Sequence, residues 1–208
     1  MTRRLGAANE AREVALAACR QAIRASGRAI RAVHRHQDAS AADLVAEAEA
    51  AVRRAQETVG PHPAVAYAGF VHDAEKEYVE AVCVSRLVAG AALPGPGDLR
   101  VGLPAWLNGL AEAASEMRRH MLDVLRAGDL DRAESVLGAV DDVYDFLLAI
   151  DFPDALTGGL RRTTDALRAV LERSRSDLTT TALQTRLQRS IEAGTTGTPG
   201  GGSRPGSV

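Results

Sequence analysis

The stretch from Phe70 to Val88, FVHDAEKEYVEAVCVSRLV, decides how this chain folds. At about 100° per residue an ideal helix places Glu77 and Glu80 about 60° apart, in one narrow sector with Phe70, Val84, Leu87 and Val88. Two carboxylates therefore share an apolar stripe. A bare carboxylate taken out of water costs several kcal/mol or takes up a proton. Such a pair asks for cations, and a bound divalent ion is the simplest supply. The other reading is a half-exposed helix whose glutamates are solvated at the rim of a wide stripe. Spacing alone leaves both open.

The rest of the 208 residues agrees with a helical chain. Alanine and leucine dominate, aromatics are 3%, and no stretch alternates apolar and polar residues long enough to read as a sheet. The expected fold class is all-α. Gly194 to Val208, GTTGTPGGGSRPGSV, holds too little apolar surface to offset its ordering entropy. Residues 1–193 are thus expected as a single domain and 194–208 as a disordered tail. Net charge is −2 and Lys76 is the only lysine, so bulk charge neither favours nor excludes nucleic acid. Cys19 and Cys83 lack ligand spacing and read as small core residues in a reducing compartment. With no signal peptide and no apolar run of roughly 18 residues, a soluble cytoplasmic protein with no membrane contact is expected.

The first helix is expected from Ala7 to His36, with Leu16, Cys19, Ile23, Ile30 and Val33 on its apolar side. Arg20, Arg24, Arg28, Arg31 and Arg35 fall within one sector about 80° wide. Solvated faces usually mix their signs so that i,i+4 pairs support the helix, and this stripe has no acid in it. An unmixed arginine line suggests a polyanion such as a phosphate backbone. His34 and His36 extend its basic end. Further helices are expected over Ala41–Thr58, capped by Asp38 or Ser40, and from Pro63 to before Leu93. Pro104–Gly128, Asp131–Ile150, Leu160–Ser176 and Leu178–Ala193 complete the set. Seven helices with short links make an antiparallel bundle the expected architecture.

Glu112 and Glu116 form an i,i+4 pair on the fourth helix, beside the small residues Ala105 and Gly109, which would let another helix come close; His120 continues the line. If this helix packs antiparallel to the third, the four glutamates converge. Hard oxygen donors in that number suit Mg²⁺ or Mn²⁺. A carboxylate-held ion beside an arginine track is what metal-assisted phosphodiester hydrolysis requires. Di-iron sites in bundles normally need two Glu-x-x-His motifs, and neither Glu80 nor Glu112 is followed by that histidine.

KEYVEA (Lys76 to Ala81), WLNGLAEAASEMRR (Trp106 to Arg119) followed by RAGDLDRA, VYD (Val143 to Asp145) and GLRRTTD (Gly159 to Asp165) occur in order. With SGRAIRAVHR (Ser26 to Arg35), the set resembles translin and translin-associated factor X over about residues 8 to 180. The resemblance implies a seven-helix subunit assembling into closed homo-oligomers of six or eight around a cavity. It further implies binding of single-stranded RNA or single-stranded DNA and, for the factor X branch, Mg²⁺-dependent endoribonuclease activity. The family's catalytic, metal-holding carboxylates lie in E-Y-V-E and D-L-T-G-E motifs, which match Glu77 and Glu80, and Glu112 and Glu116. Glu112 replaces an aspartate and is one methylene longer, a change to which a metal site is sensitive. Translin, lacking an acid there, is the model for the alternative, a non-catalytic RNA- or single-stranded-DNA-binding protein.

Replacing three of the five stripe arginines by glutamine is expected to weaken oligonucleotide binding and to flatten its salt dependence by roughly 0.7 per lost phosphate contact. An unchanged slope in a salt titration would assign the stripe to solvent or to a subunit contact.

Overall fold

The computed structural model describes residues 2–196. Six long helices and two single turns make up its regular structure: α1 (Thr2–His34), α2 (Asp38–Val59), α3 (Pro63–Ala66), α4 (Phe70–Ala89), α5 (Leu103–Arg126), α6 (Leu130–Leu148), α7 (Asp154–Thr157) and α8 (Leu160–Thr196). No strand occurs among the described residues, and no described helix is long and apolar enough to cross a membrane. The all-α expectation holds. Of the expected tail, Gly194 to Thr196 end α8, and residues 197–208 lie outside the described residues.

Several boundaries differ from the sequence reading, each for a local reason. The expected third helix is interrupted by Gly69, whose φ of +93° breaks the helical path before α4 begins. The two expected C-terminal helices are one, α8, because Ser176 and Asp177 carry no breaker. Neither Asp38 nor Ser40 caps α2; the helix starts at Asp38 and Gln37 precedes it without a side-chain bond. Of the apolar side expected on α1, Cys19, Ile30 and Val33 are buried, but the other two residues are not. Ile23 is 36% exposed and Leu16 only half-buried. The buried face is mostly alanine, with Ala15, Ala18, Ala22, Ala25 and Ala29 joining Cys19, Ile30 and Val33 in a core that includes Ala48, Ala51 and Ala55 of α2. Small side chains let two backbones approach closely, so the most intimate helix pair is also the least bulky.

Helix direction matters for the site. Arg54 bonds Gln21 while Glu47 pairs with Arg28, so α1 and α2 run antiparallel. Helices α4 and α5 do not. The amide of Gly102, just before α5, donates to Glu75 near the start of α4; Lys76 reaches Glu112; and Val88 at the end of α4 accepts from Arg132, just past α5. The expected antiparallel packing of these two helices is therefore replaced by parallel packing. The segment 90–102 returns the chain to the starting end without a helix, pinned where Pro94 accepts from the Trp106 indole and where Leu99 and Arg100 carbonyls accept from Arg53. Its two prolines and its glycines keep it from forming a helix of its own.

Within this arrangement α5 is the central rod. Asn108, buried on it, donates to the Pro104 and Thr157 carbonyls and accepts from the Thr163 hydroxyl, tying α5, α7 and α8 together. Arg118 pairs with Asp177 further along the same two helices. On the other side of α5, Gly109 meets α4: a Cβ there would lie 2.6 Å from the Lys76 carbonyl oxygen and 2.8 Å from the Val79 Cβ. Both obstacles are backbone or close to it and cannot swing aside.

Gly109→Ala must push α4 and α5 apart. Overpacking of this kind is expected to cost about 1–3 kcal/mol in urea denaturation. A change within about 0.5 kcal/mol, the range of an inert surface substitution, would contradict the contact.

Candidate metal centre

Because α4 and α5 run side by side in the same direction and touch at Gly109, the glutamates beyond that contact are brought to one place. Side chains three and four residues apart lie on one face of a helix, so Glu77 and Glu80 of α4 both face the side on which α5 carries Glu112. Glu77, Glu80 and Glu112 each present a carboxylate oxygen within 4.8 Å of the others. All three are half-buried.

The arrangement is electrostatically tense. Burial, joined by the charges of Glu77 and Glu112, pushes Glu80 up from its ordinary 4.5 to about 8. Burial also raises Glu77, partly offset by Lys76. The local relief is Lys76, whose ammonium lies 2.6 Å from both oxygens of Glu112 and 3.6 Å from Glu77. Desolvation alone would lower Lys76, but the Glu112 bond and the surrounding carboxylates outweigh it and raise it. The donor set fits a hard divalent ion: oxygen ligands only, negative, and close enough that bringing in positive charge removes repulsion.

Glu116 is placed differently from the other three. Its Oε1 is 2.8 Å from Nε2 of His34, which reaches across from the end of α1 with its ring 1% exposed. Its charge still contributes, weakly, to raising Glu80. His120, one turn further on, is buried with Nε2 unpartnered. Burial first, and then the charges of Arg132, His34 and His36, lower its pKa and favour the neutral ring. It does not join the three carboxylates.

The arginines of α1 are where the wheel puts them. Arg20, Arg24, Arg28, Arg31 and Arg35 are all exposed, and among the described residues only Arg28 has an ion pair, 3.8 Å from Glu47. Arg28 faces α2, and it is His34, not a stripe arginine, that reaches the carboxylate side of the bundle through Glu116. An open recess of about 860 Å³ between the end of α6 and the start of α8 holds none of these residues.

Two features of the site were not readable in advance. Lys76 is in the KEYVEA stretch, but nothing local says that it crosses to α5. His34 and Glu116 are 82 positions apart, and a single sequence carries no signal that pairs them.

No family model matches the chain. It is 26% identical over 115 residues to an uncharacterized protein of Methanocaldococcus jannaschii, over 55% of this chain and 51% of the relative. The match thus spans about half the length of that curated relative. Among solved structures, the crystal structure of an archaeal protein, AfC3PO, is similar with a TM-score of 0.82 and 30% identity, covering 88% of this chain and 95% of that one. A structure of AfC3PO in complex with duplex RNA is similar at 0.70 and 32%, with the same coverage. Apo-NeC3PO from Neurospora, at 0.79 and 18% over 86% of this chain and 94% of that one, shares the fold.

The raised Glu80 makes stability depend on pH. A carboxyl whose folded pKa lies above its unfolded value keeps its proton in the folded state alone between the two values, so stability falls as pH rises from about 4.5 through about 8. Metal-free protein is expected to lose thermal stability across that window, and Glu80→Gln, which mimics the protonated form, to flatten the loss. Equal pH profiles for parent and variant would mean that Glu80 ionises as it does in the unfolded chain.

Proposed function

The chain belongs to the translin and translin-associated factor X family, and on that premise we propose that it is an RNA-binding protein that cleaves its substrate with the help of a divalent cation. The observation that carries this reading is the meeting of Glu77, Glu80 and Glu112 within 4.8 Å. These three would hold Mg²⁺ or Mn²⁺, with Glu116 next to them. When bound, the ion supplies Lewis acidity that stabilises negative charge on a phosphate oxygen.

The chain's own residues have separate tasks. The exposed arginines of α1 engage the phosphate backbone and lead it toward the carboxylates. The His34 bond fixes the orientation of Glu116. The Gly109 contact holds the two acidic helices at the separation the cluster needs. Support for RNA comes from the relative solved with duplex RNA; single-stranded RNA remains the proposed substrate, since base edges and backbone are then free along the track. As the family resemblance implies, the chain would assemble into a closed homo-oligomer that encloses the site. Exposed apolar side chains such as Phe152, Leu156 and Leu183 are available for subunit contacts.

One observation favours a second reading, binding without cleavage. Lys76 already neutralises Glu112 and His34 already engages Glu116, so both bonds would be structural in a protein that holds no ion. Labelled single-stranded RNA incubated with Mg²⁺, Mn²⁺ or chelator separates the two. Cleavage is expected with the ions and not with chelator. Glu80→Gln should lower it by about 10²-fold or more while leaving RNA binding and oligomeric size unchanged. RNA that is bound but intact under every condition would leave the binding reading in place.

A further inference from the structure

Lys76 stands out in the site by its identity and its position. It is the only lysine in a chain that otherwise uses arginine for its basic residues. It lies on α4 next to Glu77, yet its ammonium makes its two shortest contacts across the helix interface, 2.6 Å to each oxygen of Glu112. A third carboxylate oxygen, on Glu77, is 3.6 Å away. The ammonium thus contacts two of the three carboxylates that would hold a divalent ion.

The backbone and the side chain of Lys76 differ in their freedom. Its carbonyl oxygen is at the tightest point of the α4 to α5 contact, against Gly109, so the main chain is fixed. The side chain is 21% exposed, and a four-carbon stem with a compact, readily hydrated head can turn out to water. An arginine would make the same contact through a planar fork that matches a carboxylate with two parallel bonds and releases it less easily.

We propose that Lys76 is a resident counter-ion: it holds Glu112 and Glu77 in place while the site is free of metal, and a divalent cation binds by displacing its ammonium. The inference rests on the metal reading given above and adds to it that the affinity for the ion is set by this residue. The displaced side chain contributes positive charge beside the ion at a distance of a few ångströms. Each such unit charge opposes the ion, so metal affinity is lower than the three carboxylates alone would give. The arrangement keeps the bundle together when the ion is scarce and loads the site only when the ion is plentiful.

The test uses Mn²⁺ alone, without RNA, in calorimetric titrations of the full-length protein at fixed pH and ionic strength. Lys76→Gln and Lys76→Met are expected to bind Mn²⁺ about tenfold more tightly than the parent. Both should lose thermal stability without the ion and regain the parent's stability at saturation. Lys76→Arg, which keeps the charge, should bind no more tightly than the parent. If the parent binds Mn²⁺ and the neutral variants bind equally or more weakly, Lys76 is not a competitor and the proposal fails while the metal reading stands. If neutral variants fail to fold even with saturating Mn²⁺, the proposal also fails, because a displaced side chain is dispensable in the loaded state. If neither parent nor any variant binds Mn²⁺, the metal reading itself falls and takes the inference with it.

Discussion

The contact between Gly109 and the backbone of Lys76 is the constraint on which the site depends. With no side chain at Gly109, α5 can press against α4 at the carbonyl of Lys76 and the Cβ of Val79. Every distance within the carboxylate cluster is downstream of that approach: Glu77 and Glu80 lie just past it on one helix and Glu112 on the other. The contact is held from both ends. Asn108 clamps the neighbouring turn of α5 to α7 and α8, donating to the Thr157 carbonyl and accepting from the Thr163 hydroxyl. Glu75, buried on α4, accepts from Gln56 of α2 and from the Gly102 amide at the entry to α5.

From that geometry the electrostatics follow. Three half-buried carboxylates in one place cannot all ionise without positive charge among them. The protein answers with one ammonium from Lys76 and with the raised pKa of Glu80. A divalent ion would answer the same need more fully, and in the proposed mechanism it would take the place that the Lys76 ammonium occupies. Glu116 extends the system toward α1, since its partner His34 is the last residue of that helix.

Much of the fold was legible because helices announce themselves by period. The long apolar repeats of α5 and α6, the prolines around residues 61–63 and 94–96, and the small residue at Gly109 all pointed correctly to elements and to a close helix approach. The misreadings have physical sources. On α1, Cys19, Ile30 and Val33 face the core as expected, whereas Leu16 and Ile23 do not, and the alanines Ala15, Ala18, Ala22, Ala25 and Ala29 complete the buried face. Helix counting alone predicts antiparallel α4 and α5, but the irregular segment 90–102 carries the chain back to the starting end and makes them parallel. Four glutamates were expected to converge; Glu77, Glu80 and Glu112 do, in parallel rather than antiparallel helices, while Glu116 turns to His34. What no pattern carried was the crossing of Lys76 to Glu112 and the reach of His34 to Glu116, both set by tertiary packing alone.

The central claim is that the face shared by α4 and α5 holds a divalent ion. Crystals grown or soaked with Mn²⁺ and measured at a wavelength where manganese scatters anomalously test it most directly. The account predicts one anomalous peak per subunit, bounded by carboxylate oxygens of Glu77, Glu80 and Glu112 at roughly 2.1–2.3 Å. An empty cluster at saturating Mn²⁺ with Lys76 still on Glu112, or a peak only at His34 and His120, would contradict it.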